Sequence, residues 1–147
     1  LWIDIAKDSL LDVLSNSNIL LLNESEAYML TDCDTLSDSA SSILDMGLDH
    51  VVIKKGSSGL ELFSPKNHIS IEAYPVKEVV DPTGAGDTSG GGFISALASG
   101  KSKTDSLIYG SSLASICVEG FGPDAILNAS EEDINHRINY LKSKLNS

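Results

Sequence analysis

The sequence predicts an α/β fold in which helices cover both faces of a mainly parallel central sheet. Two apolar runs, at residues 19–22 and 51–53, have the length of strands and no polar alternation, which is typical of strands buried on both faces. Segments with a helical spacing of apolar residues separate and follow these runs. Alternating strands and helices with β-branched strand cores indicate a layered sandwich with parallel strands.

The first half of the chain predicts helices that alternate with these two strands. Apolar residues at positions 10, 11, 13 and 14 stand among polar ones and predict an amphipathic helix. Gly47 ends a later helix, because glycine is favoured just past a helix C-terminus. In order, the predicted elements of this half are the helix over residues 7–15, the strand Ile19–Leu22, the helices Glu24–Leu30 and Thr35–Met46, and the strand Val51–Ile53.

The second half predicts a hairpin, one further strand and three long helices. The sequence Ser-Pro-Lys-Asn at residues 64–67 is a turn signal between two strand-like segments, which should therefore pair antiparallel. Ser130 is a suitable N-cap for the last helix. The predicted elements are the strands Gly59–Phe63, His68–Ile71 and Val76–Val80, and the helices Gly86–Ser99, Lys103–Val118 and Ser130–Leu145.

Composition limits the class of protein. The 147 residues are 41% hydrophobic and 21% charged, which fits one globular domain with a sizeable core. A net charge of −11 argues against a nucleic-acid partner, because such binding needs a basic footprint. No apolar run reaches the ~18–20 residues that span a bilayer, so we expect no membrane partner. Cys33 and Cys117 lack metal or disulfide spacing, as expected of reduced thiols in a cytoplasmic protein.

Residues 81–87, Asp-Pro-Thr-Gly-Ala-Gly-Asp, are the most informative stretch of the chain. Small residues lie there just before a predicted helix N-terminus, where successive N–H groups and the helix dipole favour a bound anion. A carboxylate beside such an anion, here Asp87, suits a base that takes a proton from an attacking hydroxyl. By position alone the alternative is stronger, since an acid in a first helical turn complements the dipole and Asp81-Pro82 is an ordinary turn pair.

Two familiar phosphate-binding motifs do not match this chain. It has no G-x-x-x-x-G-K-[S/T] sequence and so is not a P-loop protein. After Gly84 and Gly86 the next glycine is at position 90, one residue too late for the dinucleotide fingerprint, which disfavours a dehydrogenase. The glycines at 90–92 cost roughly 1 kcal/mol each against alanine inside a helix, so we expect close packing or close ligand approach there.

Polar residues also follow both buried strands. Asn23 and Glu26 come directly after the first strand, where open parallel sheets bind ligands, and could reach a hydrated Mg²⁺ or phosphate oxygens. The alternative, which these two residues alone favour, is that Asn23 caps the helix and Glu26 is solvated. The segment 54–59, Lys-Lys-Gly-Ser-Ser-Gly, follows the second strand and combines a tight turn with charge for phosphate. A plain turn leading into the hairpin explains that segment almost as well.

Taken together, these motifs resemble the PfkB (ribokinase-like) family of carbohydrate and nucleoside kinases. Residues 81–87 are similar to its D-x-x-G-A-G-D signature, residues 23–26 to its N-x-x-E motif, and residues 54–59 to its strand–G-x-x-G turn, in the same order. The resemblance implies a ribokinase-like three-layer α/β/α sandwich. It covers the C-terminal half of that fold, so residues 1–147 are expected to be the nucleotide-binding part without the N-terminal substrate and lid part. The chain opens without Met, at Leu1–Ile5, as if already inside an element.

The resemblance implies a catalytic role for the end of the glycine loop. Asp87 is then the general base that accepts the proton of the substrate hydroxyl. The N–H groups of Gly84, Ala85 and Gly86 form the anion hole for the transferring phosphoryl group. Pro82 stands where relatives more often have Thr.

The resemblance also implies a nucleotide site with ATP and Mg²⁺. Glu26 orients Mg²⁺ through water, and Asp81 falls where some relatives hold a monovalent cation such as K⁺. Lys54 stands where many relatives have Thr. The residues assigned to the nucleotide are Asn23, Glu26, Lys54, Gly56, Gly59 and, near the adenine, Ser111.

Two functions of different classes follow from these expectations. The first is an ATP-dependent phosphotransferase that phosphorylates a hydroxyl of a sugar or related small molecule, such as a nucleoside. The alternative is a non-catalytic nucleotide-binding module, or an inactive fragment of such a kinase. ATP and a small-molecule acceptor are the expected partners, and self-association into a homo-oligomer is a further expectation.

Overall fold

The computed structural model describes residues 2–145, with no description of the Trp2 side chain. Leu1, which the sequence assigns to the first element, lies outside the described residues. The elements are, in chain order, the helices and strands α1 (Trp2–Ile5), α2 (Lys7–Leu14), β1 (Ile19–Asn23), α3 (Glu24–Thr31), α4 (Leu36–Leu44), β2 (His50–Lys54), β3 (Leu60–Ser64), β4 (Asn67–Ile71), α5 (Ala85–Ala98), α6 (Lys103–Cys117), α7 (Asp124–Leu127) and α8 (Glu131–Leu145). A single 3-10 turn, Gly56–Ser58, precedes β3.

The four strands form one sheet in the order β1-β2-β3-β4. β1 and β2 are parallel, in a register that pairs Ile19 with His50 at one end and Asn23 with Lys54 at the other. The connections from β2 to β3 and from β3 to β4 are too short for a crossover, so these neighbours run antiparallel. The α/β fold class is confirmed, with a partly parallel sheet and flanking helices.

The described chain divides into two compact units. The sheet unit consists of the chain up to Lys55 together with Glu61–Ser70. The helical unit consists of Gly56–Leu60 and the chain from Ile71 onwards. The candidate residues are therefore described within the unit to which each belongs.

Strand β2 lies at the centre of the sheet unit's core. Val51, Val52 and Ile53 are at most 1% exposed, as predicted for a run without polar alternation. Helices α3 and α4 contribute Ala27 and Ile43, which are also fully buried. β2 is thus held rigidly, which positions the residues at its carboxyl end.

The core of the helical unit forms where α5 packs on α6. A Cβ atom built on Gly92 would lie 3.0 Å from Cα of Gly110, and one built on Gly110 would lie 2.5 Å from the carbonyl oxygen of Ser89. Both glycines therefore allow the two backbones to approach closely, which explains part of the glycine run that the sequence singles out. Phe93 and Leu107 are buried at this contact.

One predicted strand is wrong and one short helix was not predicted. Residues 76–80 are not a strand, although the sequence Val-Lys-Glu-Val-Val is rich in β-branched residues. Val79 and Val80 are 55% and 39% exposed, and the N–H of Val80 donates to the oxygen of Val118 instead of to a neighbouring strand. The helix α7 lies in a segment without periodic apolar residues. Within residues 2–145, no helix combines the length and the apolar character needed to cross a membrane.

Candidate functional site

The carboxyl ends of β1 and β2 bring two predicted site residues together. Asn23 and Lys54 are the last residues of the two parallel strands and are partners in the register. Asn23 is exposed and Lys54 is half-buried. This edge is where ligands bind in open parallel sheets, so the two side chains are suitably placed for a polar ligand.

Asn23 and Glu26 form a reciprocal capping box at the start of α3. The amide oxygen Oδ1 of Asn23 accepts the N–H of Glu26 at 2.9 Å, and Oε2 of Glu26 accepts the N–H of Asn23 at 2.8 Å. The capping alternative for Asn23 is thus confirmed, but Glu26 is not simply solvated. The bond through Oε2 holds the carboxylate in one orientation and leaves Oε1 as its second oxygen.

The two lysines after β2 have different surroundings. Nζ of Lys55 donates to Oε1 of Glu61 at 2.6 Å, and this bond raises the pKa of Lys55 above its usual value despite the opposing effect of burial. Among the described residues, no ion pair involves Lys54. The charge of Lys54 is therefore the one available to an anion.

The two glycines of the turn before β3 serve different purposes. Gly59 has φ +100°, and a Cβ atom there would lie 2.0 Å from the oxygen of Ile71. Close backbone packing therefore requires glycine at position 59, whether or not a nucleotide also contacts it. Gly56 has φ +55°, is exposed, and has no atom within 4 Å of a Cβ position. Gly56 leaves open space of the kind that a ligand can approach.

The glycine loop is a turn that ends at the N-terminus of α5. The N–H of Thr83 donates to Oδ1 of Asp81 at 2.9 Å, which is the geometry of an Asx turn. This bond, with a second one from the Thr83 hydroxyl, holds the pKa of Asp81 below its ordinary value. Gly84 is the N-cap of α5 with φ +82°, a left-handed conformation that favours glycine. Having no side chain, Gly84 cannot accept the first N–H groups of α5 as the side chain of another N-cap residue would.

The first turn of α5 therefore presents open amide donors. The N–H of Ala85 is already engaged, because it donates to the oxygen of Pro82 at 3.2 Å. Among the described residues, the N–H groups of Gly86 and Asp87 have no protein acceptor. These are the N–H groups that an N-cap side chain would ordinarily bind, and the helix dipole adds to their attraction for an anion. The structure thus favours Gly86 and Asp87 over Ala85 as amide donors.

The Asp87 side chain is exposed beside these donors, in the first turn of α5. None of the hydrogen bonds of the described residues uses its carboxylate, in contrast to Asp38 at the same position of α4, which accepts the hydroxyl of Thr35 at 2.7 Å. Asp87 is thus an ionisable group with an uncommitted side chain next to a set of open N–H groups. That arrangement can accept a proton close to a bound anion.

The end of α6 supports the glycine loop, a contact that no sequence pattern indicates. The oxygen of Val118 accepts the N–H of Val80 at 2.7 Å and of Asp81 at 3.3 Å. The thiol of Cys117 lies 3.7 Å from the oxygen of Thr83. Backbone bonds of this kind depend on chain geometry and not on residue type, which is why spacing could not reveal them.

Ser111 lies on α6 and is 5% exposed. It neighbours Gly110, which packs on α5, so its side chain is largely enclosed by protein. Its assignment to the adenine stays a prediction.

Within each unit the structure brings part of the predicted set together. The sheet unit holds Asn23, Glu26 and Lys54 at one edge of the sheet, and the helical unit holds residues 81–87 at the start of α5. Across residues 2–145 there is no group of three or more His, Cys, Asp or Glu side chains that could chelate a metal ion. A cation at these residues would therefore need further ligands from water or from a bound substrate.

Comparison with known proteins adds an independent line of argument. Residues 1–129 match the profile of the pfkB family carbohydrate kinases. The chain is 34% identical over 114 residues to a ribokinase of Arabidopsis thaliana, a match that covers 74% of this chain and 30% of that protein. It is 34% identical over 97 residues to a cytidine kinase of Thermococcus kodakarensis, covering 65% and 34% of the two chains. The chain thus spans about a third of the length of these curated relatives.

Solved structures give the same picture of the fold. The Arabidopsis ribokinase complexed with ribose and ATP superposes with a TM-score of 0.78 at 30% identity, over 87% of this chain and 43% of that one. A protein of E. coli designated ribokinase II, in complex with ATP and Mg²⁺, superposes with a TM-score of 0.81 at 30% identity, over 91% and 43% of the two chains. The ribokinase-like fold that the motifs imply is confirmed.

Proposed function

Since the chain belongs to the pfkB family of carbohydrate kinases, we propose that it forms the nucleotide-binding part of an ATP-dependent phosphotransferase. The proposed reaction transfers the γ-phosphate of ATP to a hydroxyl of a sugar or a nucleoside. The proposal rests mainly on the start of α5, where the side chain of Asp87 lies beside N–H groups that have no acceptor among the described residues.

Asp87 is the proposed general base. As the acceptor oxygen bonds to phosphorus, its O–H bond breaks and the proton passes to the Asp87 carboxylate, while ADP leaves with the electrons of the broken P–O bond. The alcohol becomes acidic only as the new bond forms, so an ordinary carboxylate suffices for this step. The exposure of Asp87 leaves room for a substrate hydroxyl to reach it.

The open amides of α5 are proposed to stabilise the transferring group. A loose phosphoryl-transfer transition state leaves the protein mainly positioning and charge stabilisation to supply. In other enzymes, removing one comparable oriented donor lowers the rate about 10²- to 10³-fold. We assign this role to Gly86 and Asp87, together with Gly84, and regard Ala85 as a backbone element that shapes the turn through its bond to Pro82.

Glu26 and Asn23 are proposed to orient hydrated Mg²⁺ near the triphosphate. Mg²⁺ commonly keeps several waters and binds through one or two carboxylates plus substrate phosphates, and it would neutralise charge on the nucleotide. A single carboxylate fixed by a capping box fits such indirect binding, whereas direct chelation would need more ligands than the described residues offer. The capping box and the metal role are therefore compatible.

The remaining assignments concern the nucleotide and a monovalent cation. Lys54 supplies positive charge for phosphate, and Gly56 offers open backbone for the nucleotide to lie against. Gly59 shapes the same turn, and Ser111 is assigned to the adenine side. The Asp81 carboxylate is the proposed ligand of K⁺. This assignment is tested by comparing turnover in potassium chloride with turnover in choline chloride.

The class of acceptor is proposed from the relatives. Their names include ribokinase, cytidine kinase and adenosine kinase. The substrates in these names are ribose, cytidine and adenosine, and each of them contains a ribose unit. A panel of ribose, cytidine and adenosine is therefore the first set of acceptors to assay.

The experiment that tests the proposal compares two carboxylates at equivalent helix positions in the full-length protein. Asp87→Asn should keep ATP binding, measured by calorimetry, but lower kcat by at least about 10² because the base is lost. Asp38→Asn is the matched control, because Asp38 occupies the same position in the first turn of α4 and should leave kcat unchanged.

Two outcomes would contradict the proposal. Near-normal kcat in Asp87→Asn would remove Asp87 from the role of base. ATP binding by the unmodified protein, without turnover on the acceptor panel, would favour the alternative of a non-catalytic nucleotide-binding module.

A further inference from the structure

Arg137 on α8 is almost completely buried, at 6% exposure, and is held on every side. Its Nη2 donates to Oε2 of Glu119 at 2.6 Å, its Nε to Oδ1 of Asp133 at 3.1 Å, and its Nη1 to Oγ of Ser115 at 3.0 Å. The guanidinium also lies 4.8 Å from the ring centre of Tyr74. A planar fork with this many partners has one orientation, so the Glu119 carboxylate is held in place.

Glu119 belongs to the segment that supports the glycine loop. Residues 117–118, which directly precede it, hold residues 80–83 through two backbone hydrogen bonds and a thiol contact. The supported residues lead without interruption into Gly84 and the first turn of α5. A continuous path of contacts within the helical unit therefore connects Arg137 to the open amides.

We propose that Arg137 is a positioning residue for phosphoryl transfer. By clamping Glu119, it fixes the end of α6, and the end of α6 in turn fixes the glycine loop and the amide donors of α5. This inference rests on the proposed function. The helix that carries Arg137 begins at Glu131, beyond the residues 1–129 that match the family, so the family match does not account for this clamp.

The clamp depends on the shape of the guanidinium and not on positive charge alone. Lysine keeps the charge but has a single terminal nitrogen, which cannot donate to Glu119, Asp133 and Ser115 at their observed positions. Arg137→Lys should therefore loosen the end of α6 without leaving an uncompensated negative charge. Glu119→Gln changes the other partner of the same contact. Its effect should be smaller, because the amide oxygen can still accept a hydrogen bond from Arg137.

A matched control is available on the same helix. Nζ of Lys142 forms an ion pair with Oδ1 of Asp105 at 2.7 Å, which joins α8 to the first turn of α6. That turn is at the opposite end of α6 from Glu119. Lys142→Met thus weakens the contact between α8 and α6 without touching the end that supports the loop.

The experiment measures two quantities in the full-length protein in which Cys33, and any further cysteine other than Cys117, is replaced by serine. The first is kcat and KM for the acceptor, at a temperature where thermal melts show each variant folded. The second is the rate at which a thiol reagent labels Cys117, which is 3% exposed and lies against Thr83. The labelling rate reports how often the end of α6 separates from the loop, and it needs no enzymatic activity.

We expect Arg137→Lys to lower kcat about 10- to 100-fold, the loss that a displacement of about 1 Å can cause, with little change in the acceptor KM. Its Cys117 should label faster by a similar factor, Glu119→Gln should show smaller effects of the same sign, and Lys142→Met should resemble the unmodified protein.

Wild-type kcat in Arg137→Lys, or an equal loss in Lys142→Met, would overturn the positioning role while leaving the kinase assignment intact. Absence of turnover in the unmodified protein would instead refute the proposed function, and the positioning role with it. The labelling rates would still show in that case whether Arg137 holds the end of α6.

Discussion

Glu61 is a carboxylate whose ionisation is tied to two neighbouring side chains. Its side chain is 13% exposed. Its carboxylate accepts a hydrogen bond from Nζ of Lys55 at 2.6 Å and another from Nε2 of His68 at 3.0 Å. The His68 ring stacks on Phe63, with ring centres 4.3 Å apart. Burial by itself raises the pKa of Glu61, but the hydrogen bonds from Lys55 and His68 outweigh it and hold the pKa below the ordinary value. The ionised form of Glu61 is therefore favoured by folding.

A pH-dependent loss of stability follows for Glu61→Gln. Because the folded-state pKa is lower than the unfolded value of about 4.3, the contribution of Glu61 is complete above that pH and is lost as pH falls through the folded pKa. We expect Glu61→Gln to lower the free energy of unfolding by about 1 kcal/mol at pH 7, and this difference to shrink as the pH falls through the folded-state pKa of Glu61. Urea unfolding at intervals between pH 3 and pH 7 measures the difference.

The control for this measurement is Glu72→Gln, at an exposed residue outside the strands. Because the Glu72 side chain is exposed, Glu72→Gln should change the free energy of unfolding only slightly. A Glu61→Gln effect that does not depend on pH would show that the carboxylate contributes through packing and not through its charge.

At the scale of elements, the glycines near the contact between α5 and α6 have different roles. Gly92 and Gly110 lie where the two backbones meet, and a Cβ atom on Gly110 would come within 2.5 Å of the oxygen of Ser89. Gly91, next to Gly92, has no atom within 4 Å of a Cβ position. The helix cost of Gly92 is therefore offset by close packing, whereas no contact of a Cβ atom accounts for Gly91.

Alanine substitutions at two of these positions should change the free energy of unfolding in opposite directions. Gly110→Ala should destabilise the protein by about 1–3 kcal/mol, because the methyl group must displace a backbone carbonyl that cannot easily move. Gly91→Ala should stabilise it by up to about 1 kcal/mol, because alanine is the better helix former and the site is open. Urea unfolding monitored by circular dichroism measures both, and a loss of stability in both variants would contradict the role assigned to Gly91.

At the scale of the whole molecule, the sequence predicted the parts that depend on local pattern. The unbroken apolar run at 51–53 predicted a strand buried on both faces, and residues 81–87 predicted a helix start with small residues, and both are confirmed. Local pattern failed at residues 76–80, where β-branched residues had no neighbouring strand to pair with. It also could not show that the N–H of Ala85 is occupied or that Arg137 clamps Glu119, because both depend on contacts between parts of the chain.

The net charge of −11 makes a prediction about how an anionic nucleotide binds. At long range this charge repels ATP, the nucleotide of the proposed reaction, so the attraction that the proposal requires must come from local features such as Lys54 and the start of α5. Mg²⁺ reduces the charge of the nucleotide, and salt screens the repulsion as the Debye length falls from about 30 Å at 0.01 M to about 8 Å at 0.15 M. We therefore expect ATP to bind at least about tenfold more weakly in EDTA than in Mg²⁺, by calorimetry.

The association rate of metal-free ATP should also rise with ionic strength over this range, in stopped-flow measurements. Lys54→Met is the matched comparison, because it removes a local positive charge and should make the rise with salt steeper. An association rate that falls with salt would mean that the local positive field at the sheet edge and at α5 outweighs the negative charge of the whole chain. Steering by those residues would then act over distances much longer than direct contact.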